Sequence, residues 1–347
     1  MSKYIDILQG LISLPSFSRE ETAAADFLQA RLTALGLDVH RKYNNLWCES
    51  VADRSLPLLL LNAHIDTVRP ASGYTRDPFR PSVEDGRLYG LGSNDDGGSI
   101  VALLEAYLEL SSRPQPYRMV LSFTAEEEVC GKNGIEALFP EIGPMTLGVM
   151  GEPTGMRLAV AERGLMVLDC EAVGKSGHAA RDEGINAIYG AIEDIRTIQG
   201  FSFDKVSPYL GRVKMTVTQI NAGTQHNVVP DRCTFVVDVR SNGLYSNEEL
   251  LSYVRRNVKC SVSARSTRLG SSHTDLSSPV VRRAEALGME LFGSPTTSNQ
   301  AVSPFPTVKI GPGESSRSHT ADEYILISEI DAASEGYVRL LDGLEVL

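Results

Sequence analysis

The hydrophobic pattern of this chain changes character near Arg163. Before that point, residues 3–14 and 18–35 carry apolar side chains at helical spacing. The second segment opens at Ser18, with glutamates in its first turn, and stops at Gly36. Leu58–Ala63 is a short, continuous apolar run, the pattern of a strand covered on both faces in a parallel sheet. A polar loop rich in Pro, Gly and Asp runs to Asn94. Beyond it the pattern predicts an amphipathic helix over Ser99–Leu110, a strand over Arg118–Thr124, a helix near Asn133–Phe139 and a strand over Leu147–Met150. Strands alternating with helices imply an α/β sheet with crossover connections.

After Arg163 the reading is different. Leu165–Val173, Val213–Ala222 and Cys233–Arg240 are strand-like, and Asn186–Thr197 and Asn247–Val258 are helix-like, which describes two helices on a small antiparallel sheet. A Ser/Thr-rich stretch covers 266–278. A helix is then expected over Pro279–Phe292, followed by an apolar strand Thr307–Ile310, a Gly-Pro-Gly turn and a last helix. The predicted fold class is α/β. Residues 1–163 and 271–347 make one discontinuous α/β domain, and residues 164–270 form an α+β domain inserted into it.

Size and charge narrow the function. At 347 residues the chain exceeds what one core usually serves. Its net charge of -11 argues against nucleic acid, which demands a basic face, and against an anionic membrane surface. The cysteines Cys48, Cys130, Cys170, Cys233 and Cys260 are scattered without a CxxC pair, so neither a zinc ribbon nor a disulfide framework is indicated. The opening MSKYIDILQGLISLPSFS lacks the basic-then-apolar order of a signal peptide, and no run reaches the ~18 apolar residues of a membrane helix. A cytoplasmic location is the expectation.

Acidic and histidine residues recur just beyond the predicted strands. In NAHIDTV, His64 and Asp66 lie two apart in extended chain, so both project one way, as a metal-binding imidazole and its supporting carboxylate would. Alone, the pair is equally an ordinary polar strand end. LYGLGSNDDGGS puts Asp95 in a glycine-rich turn before a helix; it fails the dinucleotide fingerprint and has no phosphate-loop lysine. A plain helix cap competes there with a carboxylate bridging two metals. SFTAEEEVCGKNG places Glu126, Glu127 and Glu128 after a strand, where adjacent acids repel unless a cation or proton compensates. GEPTG adds Glu152 after another strand, and SRSHTADEYI adds His319. Two imidazoles with several carboxylates and no thiolate suit zinc or a neighbouring transition metal.

Taken together, HIDTV, YGLGSNDDGG, TAEEEVCG, GEPTG, GKSGHAA with GINAI, and SHTADEYI resemble, in order, the motifs of one family. It is the co-catalytic zinc amidohydrolases that include acetylornithine deacetylase, succinyl-diaminopimelate desuccinylase and carboxypeptidase G. The resemblance covers nearly the whole chain. It implies a zinc-peptidase-like catalytic domain and an inserted lid and dimerisation domain. It also implies two divalent metal ions, zinc first, with cobalt able to substitute. His64, Asp95 and Glu152 would hold one ion; Asp95 would bridge to the other, completed by Glu128 and His319. Glu127 matches the general base and Asp66 the support of His64. His178 matches a histidine reaching into a partner's site, and Arg240 and Asn227 match lid positions that hold the substrate carboxylate. The Asp95–Asp96 peptide is expected to be cis. Two departures stand out: Gly97 occupies a position where lysine is common, and GHAARDEG lacks the proline common after the lid histidine.

The implied reaction is hydrolysis of an N-acyl amide, Glu127 taking a proton from water and returning it to the leaving amine while His178 donates to the oxyanion. Acetylornithine deacetylase is the branch most resembled, which points to N-acetyl- or N-succinyl-ornithine, to arginine biosynthesis and to a homodimer through the inserted domain. Arg163 or Arg181 would face the second carboxylate of a succinyl group. N-acyl citrulline, lysine or diaminopimelate, a metallo-dipeptidase or carboxypeptidase, and an inactive binding homologue are the alternatives.

Overall fold

Leu58, Leu59, Leu60 and Leu61 lie buried in a strand whose seven residues are all covered, as a continuous apolar run requires between two helical layers. The computed structural model describes residues 3–50, 53–181 and 183–346. The chain opens with α1 (Ile5–Ile12) and α2 (Thr22–Ala34), then β1 (His40–Lys42), β2 (Asn45–Glu49) and β3 (Leu58–His64). β4 (Ser82–Glu84), β5 (Arg87–Tyr89), α3 (Gly98–Ser111), β6 (Arg118–Thr124), α4 (Phe139–Ile142), β7 (Leu147–Met150) and β8 (Leu158–Glu162) follow. The middle of the chain holds β9 (Met166–Val173), β10 (Gly177–His178), α5 (Ala187–Gln199), β11 (Lys214–Ala222) and β12 (Val228–Val229). β13 (Arg232–Arg240), α6 (Asn247–Asn257), β14 (Ser261–Ala264) and β15 (Ser272–His273) come next. The last elements are α7 (Pro279–Ala286), β16 (Leu291–Ser294), β17 (Thr307–Lys309), β18 (Tyr324–Leu326) and α8 (Ile327–Leu341).

The structure divides into two compact units. One comprises Met1–Val160, Thr274–Phe292 and Ser298–Leu347, the other Ala161–His273 and Gly293–Thr297. In the first, strands run in the order β1-β2-β6-β3-β7-β17-β8. β3 lies parallel to both β6 and β7, and β17 lies parallel to β7. The carboxyl ends of β3, β6, β7 and β17 therefore share one edge of the sheet, where open α/β sheets bind ligands. Among the described residues, no helix is long and apolar enough to cross a membrane.

The second unit is an antiparallel sheet in the order β11-β13-β9-β14. Met166, Leu168, Cys170 and Ala172 alternate inward on β9, and Phe235 and Val237 on β13 join Leu250 and Val254 of α6 in its core. β11 is an edge strand, and most of its residues are exposed.

Two predicted helices start late or stop early. The second helix begins at Thr22, not Ser18, because Arg19 takes a left-handed φ of 75° and the Ser18 hydroxyl and Glu21 carboxylate are engaged elsewhere. The expected helix Pro279–Phe292 stops at Ala286. Gly288 (φ 76°) ends it, the Met289 N–H closing back on the Ala284 carbonyl, and the chain turns into β16.

Candidate metal centre

His64 ends β3 and is buried. Its Nδ1 lies 2.9 Å from the backbone oxygen of Asp66 and 3.6 Å from Asp66 Oδ1. With Nδ1 held there, Nε2 is the ring nitrogen turned to Asp95, 3.1 Å from its Oδ1. The other Asp95 oxygen, Oδ2, lies 3.7 Å from His319 Nε2. His319 Nε2 in turn lies 2.9 Å from Glu128 Oε1. Asp95 thus offers one oxygen toward each imidazole. The Asp95–Asp96 peptide is cis.

Donor atoms of His64, Asp95 and Glu128 lie within 4.8 Å of one another, and so do those of His64, Glu127 and Glu152. The second group brings both the expected base, Glu127, and the expected ligand, Glu152, within 4.8 Å of His64. Two backbones at the site are left-handed although not glycine, Glu126 (φ 57°) and His319 (φ 58°), a feature that clusters at functional sites.

Carboxylates hold the loops as well as facing the centre. Asp66 accepts the N–H groups of Glu127 (2.9 Å) and Glu128 (3.1 Å) and the Ser18 hydroxyl (2.7 Å). Its carboxylate therefore positions the acidic loop, while its carbonyl orients His64. Glu21 accepts the Glu126 N–H (3.2 Å), and Glu126 Oε1 accepts from the Asn133 amide (3.1 Å). Glu323, buried, accepts the N–H groups of Gly92, Asn94 and Asp95. Glu21, Asn94 and Glu323 were not singled out from the sequence. The last two sit inside the motifs that carry Asp95 and His319.

The electrostatics show what the cluster lacks. Burial, reinforced by the neighbouring Glu152 charge, pushes Glu127 well above the ordinary carboxylate range. Burial does the same to Glu152, with Lys309 opposing and Asp95 adding to the rise. Glu128 is raised by burial against the pull of His319. Burial disfavours a charged His64, yet Asp66 and Asp95 hold its pKa well above normal, and the Glu128 hydrogen bond lifts His319 to about 9. A buried group of acids that draws protons onto itself is short of positive charge. Two dications at the paired imidazole and carboxylate donors fit that deficit, and the donor set contains no thiolate.

The remaining expected residues lie in the second unit. His178 is exposed in β10, and its Nδ1 accepts the Ala180 N–H at 3.1 Å. Asn227 is exposed, and its carbonyl accepts the Ala179 N–H. Arg240 is paired to both oxygens of Asp238 (2.8 and 3.0 Å). The Arg163 guanidinium is committed to the carbonyls of Leu210, Arg212 and Arg240. Arg181 stands exposed, 3.8 Å from Glu183. At Gly97 a Cβ would lie 2.3 Å from Leu8 Cδ1 and 2.5 Å from the Gly92 carbonyl. A lysine there would displace both, which accounts for the glycine at this position.

Comparison with known proteins gives the family and the fold. The peptidase family M20/M25/M40 matches residues 60–343. Over 266 residues the chain is 27% identical to a succinyl-diaminopimelate desuccinylase of a Nitratiruptor species, spanning 73% of this chain and 72% of that one. The fold of the chain is similar to that of aminopeptidase PepT from Bacillus cereus ATCC 10987, with a TM-score of 0.79, 21% identity, and 97% and 96% of the two chains covered. It is also similar to the Bacillus subtilis YXEP protein, a dinuclear metal-binding peptidase, with a TM-score of 0.74, 16% identity and coverage of 97% and 96%.

Proposed function

The chain belongs to the peptidase family M20/M25/M40, and from that premise we propose that it hydrolyses the amide of an N-acyl amino acid with two divalent metal ions, zinc first. The observation that carries this reading is Asp95, which turns one oxygen to His64 and the other to His319. His64, Asp95 and Glu152 would hold one ion, and Asp95, Glu128 and His319 the other. The dinuclear centre named for the Bacillus subtilis neighbour supports the count of two. Bound there, the ions would polarise the acyl carbonyl and acidify a water molecule.

The chain's own residues supply the proton traffic. Glu127 is buried, and its carboxylate lies in one group of donor atoms with His64 and Glu152, where a base can reach the attacking water. It takes the proton of the attacking water and delivers it to the departing amine nitrogen. His178 uses Nδ1 as an acceptor, so its proton sits on Nε2, ready to be donated to a developing oxyanion.

We assign His178 to the active site of a partner subunit, in a homodimer formed through the second unit. The open β11 edge, with Ile220 exposed, and the exposed Tyr189 and Ile192 of α5 support such an interface. Mixing His178→Ala with Glu127→Gln under subunit exchange is expected to restore activity to about a quarter of wild type. Half the dimers are then mixed, each with one intact site. A mixture as inactive as its components, or an active monomer, would defeat the assignment.

For the acyl group, the name carried by the Nitratiruptor relative moves N-succinyl-diaminopimelate ahead of N-acetylornithine. Amine release from N-acetyl and N-succinyl forms of diaminopimelate, ornithine, citrulline and lysine, with simple dipeptides alongside, tests the whole reading. Turnover of an N-acyl amino acid at least ~10²-fold above any dipeptide is expected, a floor below the ~10⁴–10⁵ that a site hydrogen-bonding its substrate's polar groups achieves. Hydrolysis of dipeptides alone would make the protein a peptidase.

A further inference from the structure

We infer that Glu323 and Asn94 form a reciprocal clamp that fixes the Asp95 loop to the His319 loop and thereby sets the affinity of the ion those loops share. The inference rests on the metal reading above. Glu323 lies four residues after His319, immediately before β18, and is buried. Its Oε1 accepts the Asn94 N–H at 2.9 Å and the Asp95 N–H at 3.0 Å, and its Oε2 accepts the Gly92 N–H at 3.1 Å. Its backbone carbonyl takes the Gly90 N–H at 3.0 Å.

Asn94 answers from the opposite side. Fully buried, it accepts the Glu314 N–H at 3.0 Å on Oδ1. Its Nδ2 donates to the Glu314 carbonyl at 3.1 Å and to Ser318 Oγ at 3.2 Å, one residue from His319. The approach requires the glycine beside it. Gly313 has φ 80°, and a Cβ there would stand 2.3 Å from Asn94 Oδ1.

The choice of a carboxylate at residue 323 is informative. Every hydrogen bond that the Glu323 side chain receives from the Asp95 loop comes from a backbone N–H, and a carboxylate oxygen accepts each one. Glutamine has nearly the same shape but would point an NH2 group at one of those donors. The hydrogen bonds of the Glu323 side chain go to the backbone of the Asp95 loop, so it is a positioning residue. The two proposed ions depend on the clamp unequally. His64 and Glu152 lie at or just past the ends of the neighbouring strands β3 and β7. The ion shared by Asp95, Glu128 and His319 needs both clamped loops in register.

The experiment titrates metal-free protein with zinc by calorimetry and counts ions by mass spectrometry after dialysis. It compares wild type, Glu323→Gln and Asn94→Ala. Tyr117→Phe, which removes a buried hydroxyl bonded to the Leu341 carbonyl, is a control away from both loops. Circular dichroism identifies any variant that fails to fold, and the other then carries the test. Two ions are expected in wild type and in the control. The variants should bind the second ion ~10- to 100-fold more weakly, the usual scale for outer positioning groups, and weaken the first, which Asp95 also ligates, by clearly less. Both ions retained at wild-type affinity, or both weakened equally, would overturn the clamp. A wild type that never binds two ions would overturn the metal reading itself.

Discussion

Glu127→Gln is expected to retain both metal ions and bind substrate while kcat falls at least ~10²-fold, because an amide cannot accept the proton of the attacking water. The substitution also resolves the double placement of Glu127, whose carboxylate, like that of Glu152, lies within 4.8 Å of His64. A lost ligand would show as lost metal, whereas a lost base shows as lost turnover with metal intact. Steady-state rates and ion counts on the same preparation make the distinction. Near-normal kcat with full metal would move the base elsewhere. Glu126 is a poor successor, since its Oε1 accepts from the Asn133 amide and its N–H is held by Glu21.

Removing the ions is expected to abolish hydrolysis and to lower the melting temperature together. The buried acids Glu127, Glu128 and Glu152 compete for protons in their absence. A ligand present at a thousand times its dissociation constant stabilises the folded state by ~4 kcal/mol. With ~2–4 °C per kcal/mol for a unit of this size, the shift on chelation should be on the order of 10 °C. Zinc or cobalt added back should restore both properties. Differential scanning fluorimetry with and without a chelator reads the effect. A chelated, demonstrably metal-free protein that keeps its melting temperature or its turnover would remove the metal assignment.

The parts of the fold legible in the sequence are those whose side chains alone specify them. β6 spans Arg118–Thr124 and β7 spans Leu147–Met150 as the apolar runs predict, because both are buried throughout their centres. Short polar strands escape such a reading. β5 is held on one side by β4, across the Asp85-Gly86 turn, and on the other by β18, whose Tyr324 and Ile325 pair Tyr89 and Leu88 from more than two hundred residues away. The helix expected near Asn133–Phe139 breaks into a 3-10 turn and the short α4, which carries a proline in its first turn.

The centre divides in the same way. His64, Asp95, Glu128, Glu152 and His319 were visible because donor types recur after strands, and the structure brings their elements to one sheet edge. Glu21, Asn94 and Glu323 left no such trace. Most of their partners are backbone N–H and carbonyl groups, which every residue possesses, so residue type and spacing carry little signal of the contact.

The position of β17 has a consequence for how the chain is made. This strand, Thr307–Lys309, lies between β7 and β8, pairing the first parallel and the second antiparallel. β7 and β8 are synthesised some 150 residues earlier, so the nascent chain carries an open slot in the middle of its sheet until its last segment emerges. Non-local strand insertion of this kind slows folding, and unpaired edges invite aggregation while they wait. A ribosome stalled before Thr307 would present an incomplete sheet without His319, a product that can neither bury its core nor complete the centre, and one suited to recognition by chaperones and proteases.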